Sequence, residues 1–353
     1  MKGTVVSRRH FIAGAAAAAG AAGLSGLPRA AVAQAKPKSL VYSTYGGDYG
    51  KWVKDGFEDQ FTRATGIALV HDVGQNPERY QKLKAHKDSP KFHIVHLQDR
   101  FLYLAARDGL LETIDYAKVP NAAPIPALFK ASQWLHYVYL SIGIIYNAKA
   151  VGDRPPKNWE DLLDPRYKGK IFVDDFQHFG LHAVVAIALA QGGSYANMDP
   201  GFKFIRKMKE TLAPRFISTS QEGMKLLQTG EVHAAIWQQA RALRLKRQGQ
   251  PIEYVVPQTG DVAVTYGNGI VRGAGHKEWA EAFLDVTADP KLQGTFVSGE
   301  IQANPTHPQA TPTPEIAKLI ARPAGAKQFT LDYAEVLPRL DEWTRRWNKE
   351  IAG

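Results

Sequence analysis

LSIGIIYNAKAVGDRPPKNWEDLLDPRYKGKIFVDD, Leu140 to Asp175, is the stretch on which the architecture turns. Leu140 to Tyr146 and Lys170 to Asp174 are rich in Ile, Val and aromatic residues and read as buried strands. Gly152, Pro155, Pro156, Pro165 and Gly169 punctuate the polar segment between them. A short helix over Trp159 to Leu163 fits there, followed by Asp164-Pro165. At this point the chain is expected to pass from one lobe of the molecule into another.

Working toward the N-terminus, Leu40 to Thr44, Ile67 to Val73 and Phe92 to Leu97 read as strands. Between them, Tyr49, Val53, Phe57 and Phe61 recur every four residues and predict one buried helical face, with Gly66 as its stop. Pro77 opens a second helix, and Leu102 to Arg107 forms a third that Gly109 ends. Strands alternating with helices imply a mostly parallel sheet with helices on its faces. Toward the C-terminus, Leu181 to Ala190 is almost wholly apolar and predicts a helix buried on all sides. Phe202, Ile205, Met208 and Leu212 mark an amphipathic helix, and Met224 to Leu227 lie on another ended by Gly230. Ala234 to Trp237, Ile252 to Val256 and Val262 to Tyr266 are the later strands. Gly267-Asn268-Gly269-Ile270-Val271-Arg272-Gly273 reads as a flexible crossing back, since its third glycine is misplaced for a dinucleotide fingerprint. Pro290 and Pro314 suit first helical turns, and Leu340, Trp343, Trp347 and Ile351 form a last apolar stripe.

The 353 residues are 44% apolar and 22% charged, ordinary for a soluble protein with a full core, and the length fits two domains. Residues 1–33 stand apart. Ser7-Arg8-Arg9-His10-Phe11-Ile12 leads into an alanine-rich run, and Ala31-Val32-Ala33 offers a small-residue cleavage site, the layout of a twin-arginine (Tat-type) export signal. The run is too short and too rich in alanine to span a membrane, so the mature chain is expected to begin near Gln34 in the periplasm. Without the signal the formal charge falls from +10 to +6, and its scatter along the chain argues against nucleic acid as a partner. There is no cysteine, which excludes disulfides, thiolate metal sites and cysteine nucleophiles together.

His93 and His96, three apart on a strand, point to opposite faces and cannot chelate jointly. His178 and His182 have no third ligand between them, whereas zinc needs three or four. No P-loop, G-x-S-x-G elbow or H-E-x-x-H occurs, which weakens the alternative of a Tat-exported periplasmic enzyme without excluding it; no catalytic residue, metal or cofactor is assigned. What recurs is a polar or aromatic cluster at the end of a strand: Tyr45-Gly46-Gly47-Asp48, Gln98-Asp99-Arg100, Asp174-Asp175-Phe176-Gln177, Trp237-Gln238-Gln239 and Tyr266-Gly267-Asn268. Ligands in open α/β sheets bind outside the carboxyl ends of strands. Tyr45, Gly46, Gly47, Gln98, Arg100, Asp174, Asp175, Gln177, Trp237, Gln238, Tyr266 and Asn268 are therefore the candidate ligand-binding residues of one cleft, with Trp237 its apolar wall.

FTRATGI, DRFLYLAARDGLLETID, SIGIIYNAKAVGDRPPKNWEDLLDPRYKGK, TGEVHAAIWQQARALRLKRQGQPIEYVVPQTG and EWAEAFLDVTADPKLQGTF follow one another along nearly the whole mature chain. Together they resemble the bacterial extracellular solute-binding proteins of ABC importers, of the spermidine/putrescine-binding type. The resemblance implies an α/β, two-lobed periplasmic-binding-protein fold with two central mixed sheets joined by crossing strands. Residues 36–139 and 268–305 would form the first lobe, and 140–267 and 306–353 the second. It also implies a monomeric, non-enzymatic receptor that closes a hinge on a small solute and delivers it to an inner-membrane ABC permease. A sensory role would use the same fold.

By position, Trp237 resembles the family's aromatic wall, Asp174 or Asp175 its acidic position, and Tyr45 and Gln98 to Arg100 its first-lobe contact loops. Where polyamine binders carry an acid after the late aromatic, this chain has Tyr266-Gly267-Asn268. There is no adjacent tyrosine pair of the kind that ferric-ion-binding relatives use. The aromatics with Asp174 and Asp175 favour a polyamine or related amine, the family default. Arg100, Arg241 and the helix starts after Gly47 and Gly180 favour a carboxylate or phosphonate.

Overall fold

Every strand expected from the sequence forms. The computed structural model describes residues 35–352, and the expected export signal, residues 1–33, lies outside them. The strands are β1 (Ser39–Thr44), β2 (Ala68–Val73), β3 (Ile94–Gln98), β4 (Lys130–Ala131), β5 (Trp134–Asn147), β6 (Ile171–Asp174), β7 (Arg215–Ile217), β8 (Ala234–Gln238), β9 (Ile252–Val255), β10 (Asp261–Ile270), β11 (Asn304–Pro305) and β12 (Gln328–Thr330). Their pairing runs β2-β1-β3-β10-β5-β8-β6-β7. At one end β2, β1 and β3 are parallel, and at the other β8, β6 and β7 are parallel. Both sets join the pair β10 and β5 by antiparallel contacts, and β10 and β5 are antiparallel to each other. The fold is mixed α/β as expected, but the two parallel sets are continuous through the crossing pair, so the strands form one twelve-stranded mixed sheet rather than two separate ones.

The crossing strands are longer than the sequence suggested. β5 begins at Trp134, and β10 continues through Gly267-Asn268-Gly269 to Ile270. Those glycines are not a flexible crossover, because both lie within the strand; Gly267 stands where the β5 backbone approaches too closely for a side chain, and Gly269 packs against the Leu111 side chain. A Cβ on Gly267 would lie 2.3 Å from the Leu135 carbonyl oxygen and 2.7 Å from the His136 Cα. The register against β5 shifts between Tyr266 and Gly267, a bulge that re-aims the strand.

Each crossing strand serves two apolar cores. Tyr137 and Ile270 join Phe57, Phe61, Phe283 and Leu284, while Ile142 and Val264 join Trp159, Phe202, Ile205 and Trp347. The four-residue stripe of Val53, Phe57 and Phe61 is buried as its spacing required, and Gly66 ends that helical run at φ 71°. Helix Leu181–Ala190 buries every residue from His182 to Ala188, as its unbroken apolar sequence demands. Trp343, Trp347 and Ile351 close the second core from the C-terminal helix.

Trp237 departs from expectation. It is fully buried, its ring 5.2 Å from that of Phe172 in an edge-on contact, with Ile217, Leu226 and Ala242 in the same cluster. Alternation along β8 explains this, because Trp237 and Gln238 point to opposite faces and only Gln238 turns toward a cavity. Asn268 is likewise fully buried, accepting a hydrogen bond from the Tyr42 hydroxyl at 2.9 Å. Replacing Trp237 with Ala is therefore expected to cost about 3–5 kcal/mol of unfolding free energy. Urea denaturation measures this, and a cost under ~1 kcal/mol, typical of a surface substitution, would contradict the core placement.

Candidate functional site

Strand register places the site. Gln98, at the carboxyl end of β3, lies opposite Tyr266, which in turn pairs with Val138. Gln238, at the carboxyl end of β8, lies opposite Ile142. The two strand ends therefore meet the crossing pair from opposite sides, four residues apart along β5, a stagger of about 13 Å at the usual strand rise. Leu140, paired with Val264, is in the middle of that stretch of β5. A cavity of about 560 Å³ opens over it, with Val138, Leu140 and Tyr266 as floor.

One wall is aromatic. Tyr45, Tyr49 and Trp52 come from the end of β1 and the helix Gly47–Val53 that follows. The Tyr45 and Tyr49 rings meet edge-on at 5.1 Å, and His96 lies behind both, 5.3 Å from Tyr45 and 5.2 Å from Tyr49. The Tyr49 hydroxyl is 3.1 Å from that of Tyr137 and 3.3 Å from His96 Nε2, so its position is set by a buried network. Burial, and next Arg79, hold His96 well below its ordinary pKa, which keeps the imidazole neutral. Gln75 and Asn76 extend this wall at the start of helix Asn76–Ala85. Asn76 is held by its Oδ1, which accepts from the Gln98 amide and from Arg79, each at 3.2 Å.

The opposite wall is basic. Gln238 caps helix Gln239–Arg247, and Ala240, Arg241 and Arg244 face the cavity from its first turns. Arg241 and Arg244 are three residues apart and share a helix face. Among the described residues neither makes an ion pair, and the buried Arg241 Nε has no hydrogen-bond partner. Burial, and then the charge of Arg244, pull the Arg241 pKa below the usual arginine range. The cavity's one carboxylate, Glu300, is exposed at the rim and lies 3.8 Å from Arg247. Gln302 also lines the cavity and holds a left-handed backbone, φ 54°, which costs energy for a residue other than glycine.

Of the residues named from sequence, Tyr45, Gly46, Gln238 and Tyr266 line this cavity. Gln98, Arg100 and Gln177 line a second, smaller one of about 220 Å³, with His178, His182 and Tyr333. Asp174 lines neither. It is buried at the end of β6, 3.2 Å from His178 Nδ1, and burial raises its pKa. Asp175 caps the following turn by accepting from the Gln177 amide at 3.1 Å. Gly47 provides the turn into its helix at φ 61°, and Trp237 and Asn268 belong to the interior. The residues missed were Tyr49, which reads equally as core stripe, and Trp52, Gln75, Asn76, Arg244 and Gln302. Arg244 alone had a signal, its three-residue spacing from Arg241. His93 is structural as expected, its Nδ1 accepting from the Val41 amide at 2.9 Å. No cluster of three or more metal-ligating side chains occurs among the described residues.

The family of bacterial extracellular solute-binding proteins matches residues 88–320. This chain belongs to that family. A periplasmic protein of Salmonella typhimurium strain LT2, whose name assigns it 2-aminoethylphosphonate, is 26% identical over 319 residues, covering 88% of this chain and 91% of the relative. The spermidine/putrescine-binding periplasmic protein of Escherichia coli K12 is 23% identical over 259 residues, covering 69% and 72%. Among solved structures, an ABC transporter protein from Clostridium perfringens superposes with a TM-score of 0.77 at 24% identity, covering 88% of this chain and 99% of its own. The chain is thus a periplasmic solute receptor of the ABC-importer type, which delivers a small molecule to a membrane permease, and it is not an enzyme.

Buried imidazoles make its stability pH-dependent. Burial lowers His136 to about 3 and His182 to about 4, and His96 also lies well below its ordinary value. Below the ordinary histidine pKa of about 6.5 the unfolded chain takes these protons and the native one does not, so stability falls with pH. Burial also lowers His93, His233 and His307. Asp99, raised to about 6, with Asp174, Asp261 and Asp285, raised by burial, and His71, raised by its hydrogen bond to Glu58, work in the opposite direction; the lowered histidines number six against five. The urea midpoint should therefore drop between pH 7 and pH 5. A midpoint that rises over this interval would contradict the buried neutral imidazoles.

Proposed function

We propose that the solute is a small organic anion, a phosphonate or carboxylate, held in the larger cavity with its acid group against Arg241 and Arg244. The observation that carries this is the pair of guanidiniums facing the cavity with no ion pair among the described residues, the Arg241 Nε being buried without a hydrogen-bond partner. Half-buried Arg241 and exposed Arg244 are like charges on one helix face, and an oxyanion between them removes their repulsion while supplying an acceptor for Arg241. The first-turn amides of helix Gln239–Arg247 add partial positive charge at the same place. Tyr45, Tyr49, Trp52 and Tyr266 then enclose the carbon chain, and an amino group on the solute has Glu300 as its partner at the rim.

This reverses the order suggested by the family default, in which a polyamine came first with Asp174 or Asp175 as its anchor. Neither aspartate lines the cavity. The Salmonella relative's named ligand, an aminoalkylphosphonate, supports the anionic reading. Closure of residues 36–139 with 268–305 onto residues 140–267 with 306–353 would seal the solute, β5 and β10 acting as hinge. Two of the three proposed boundaries, at 139/140 and 267/268, fall inside these strands, and the third, at 305/306, follows β11. We propose further that the twin arginines Arg8 and Arg9 direct Tat export with cleavage near Ala33, and that the receptor acts as a monomer.

Isothermal titration with 2-aminoethylphosphonate, 4-aminobutyrate and putrescine tests the reading. The phosphonate is expected to bind, and Arg241→Gln to weaken it by about 1.5–3 kcal/mol, ten- to over a hundredfold, the range for a hydrogen bond to a charged group. Putrescine binding alone would overturn the anionic assignment.

A further inference from the structure

A fully buried cation sits directly behind the aromatic wall. Arg79, on helix Asn76–Ala85, has no exposed surface, yet no carboxylate lies within ion-pairing distance of it among the described residues. Its Nη1 donates to the carbonyls of Ser43, at 3.1 Å, and of His96, and its Nη2 donates to Asn76 Oδ1. Its guanidinium carbon is 4.2 Å from the centroid of the Tyr45 ring. Tyr45 lines the cavity and Arg79 does not, so Tyr45 stands between the guanidinium and the cavity. Nε is left without a partner.

Burying a charge without a counter-ion is costly unless its surroundings repay it. Here two strand-end carbonyls, an amide oxygen and an aromatic face repay part. That arrangement has a consequence for the solute. An aromatic ring attracts a cation through the negative charge on its faces. With a guanidinium already stacked on Tyr45, an ammonium group on the cavity side meets a like charge across a thin, low-dielectric layer, whereas an anion meets an opposite one.

Building on the reading of the larger cavity as the solute site, we propose that Arg79 is a positioning residue that converts an apparent amine cage into a wall favouring anions and rejecting ammonium groups. The aromatic residues that make this chain look like a polyamine receptor are then electrostatically inverted. Arg79 acts through Tyr45 and Asn76, holding both in place while supplying charge that the solute feels but does not touch.

The test measures affinities for ethylphosphonate, which carries no amino group, and for putrescine, which carries no acid, in wild type, Arg79→Lys and Arg79→Gln. Wild type is expected to prefer ethylphosphonate by at least about a hundredfold. Arg79→Gln should shrink this preference at least tenfold, and Arg79→Lys, which keeps the charge, should retain most of it. A role in folding or shape alone would weaken both ligands together and leave the ratio unchanged, so an unchanged ratio in folded Arg79→Gln overturns the proposal. Wild-type protein that binds putrescine as tightly as ethylphosphonate overturns it without any variant. Failure of wild type to bind either probe, or 2-aminoethylphosphonate, instead overturns the site assignment beneath it, and this proposal falls with that assignment.

Discussion

The antiparallel pairing of β5 with β10 is the constraint on which the rest of the molecule depends. It is the one place where both sets of parallel strands meet, and each of its strands feeds two apolar cores. Because β3 and β8 join it in fixed registers on opposite sides, their carboxyl ends are staggered by about 13 Å along the crossing strands, on either side of Leu140. Slipping either register by one residue would turn Tyr266 or Gln238 away from the cavity and expose core side chains in their place. Gly267 allows this close pairing, and the register shift falls between it and Tyr266, which lines the cavity.

On this frame the two walls are built by different physics. The aromatic wall is rigid because its hydroxyls and rings are tied to a neutral histidine and a buried arginine, each held by backbone or side-chain partners. The basic wall is under-satisfied, since Arg241 and Arg244 make no ion pair among the described residues, the charge of the buried Asp174 reaches Arg241 only at a distance, and Arg241 Nε has no hydrogen-bond partner. A site that is rigid on one side and short of negative charge on the other is pre-organised for an anion with a short apolar body. The same balance disfavours a polycation, although much of the sequence resembles proteins that bind one.

Much of the fold was legible in the sequence. Buried strands bounded by Gly and Pro, the stripe through Phe57 and Phe61, and the wholly apolar helix at Leu181 each announced themselves by periodicity. The crossing strands were only half visible, because Gly267-Asn268-Gly269 reads as a turn unless the neighbouring backbone is known. The site was less legible for the same reason. Position at a strand end located Tyr45, Gln238 and Tyr266, but it could not say which face Trp237 would take, and one residue of alternation sent it into the core. Arg79 carried no sequence signal, since an arginine in the first turns of a helix is ordinarily solvated and only tertiary packing buries it under Tyr45.

The most direct measurement is a crystal structure of the receptor grown with 2-aminoethylphosphonate. The account predicts the phosphonate oxygens within hydrogen-bonding distance of Arg241 and Arg244, with the carbon chain against Tyr45 and Tyr266. A phosphonate bound elsewhere, or an amino group pointing into the arginines with the acid turned to Glu300, would contradict it.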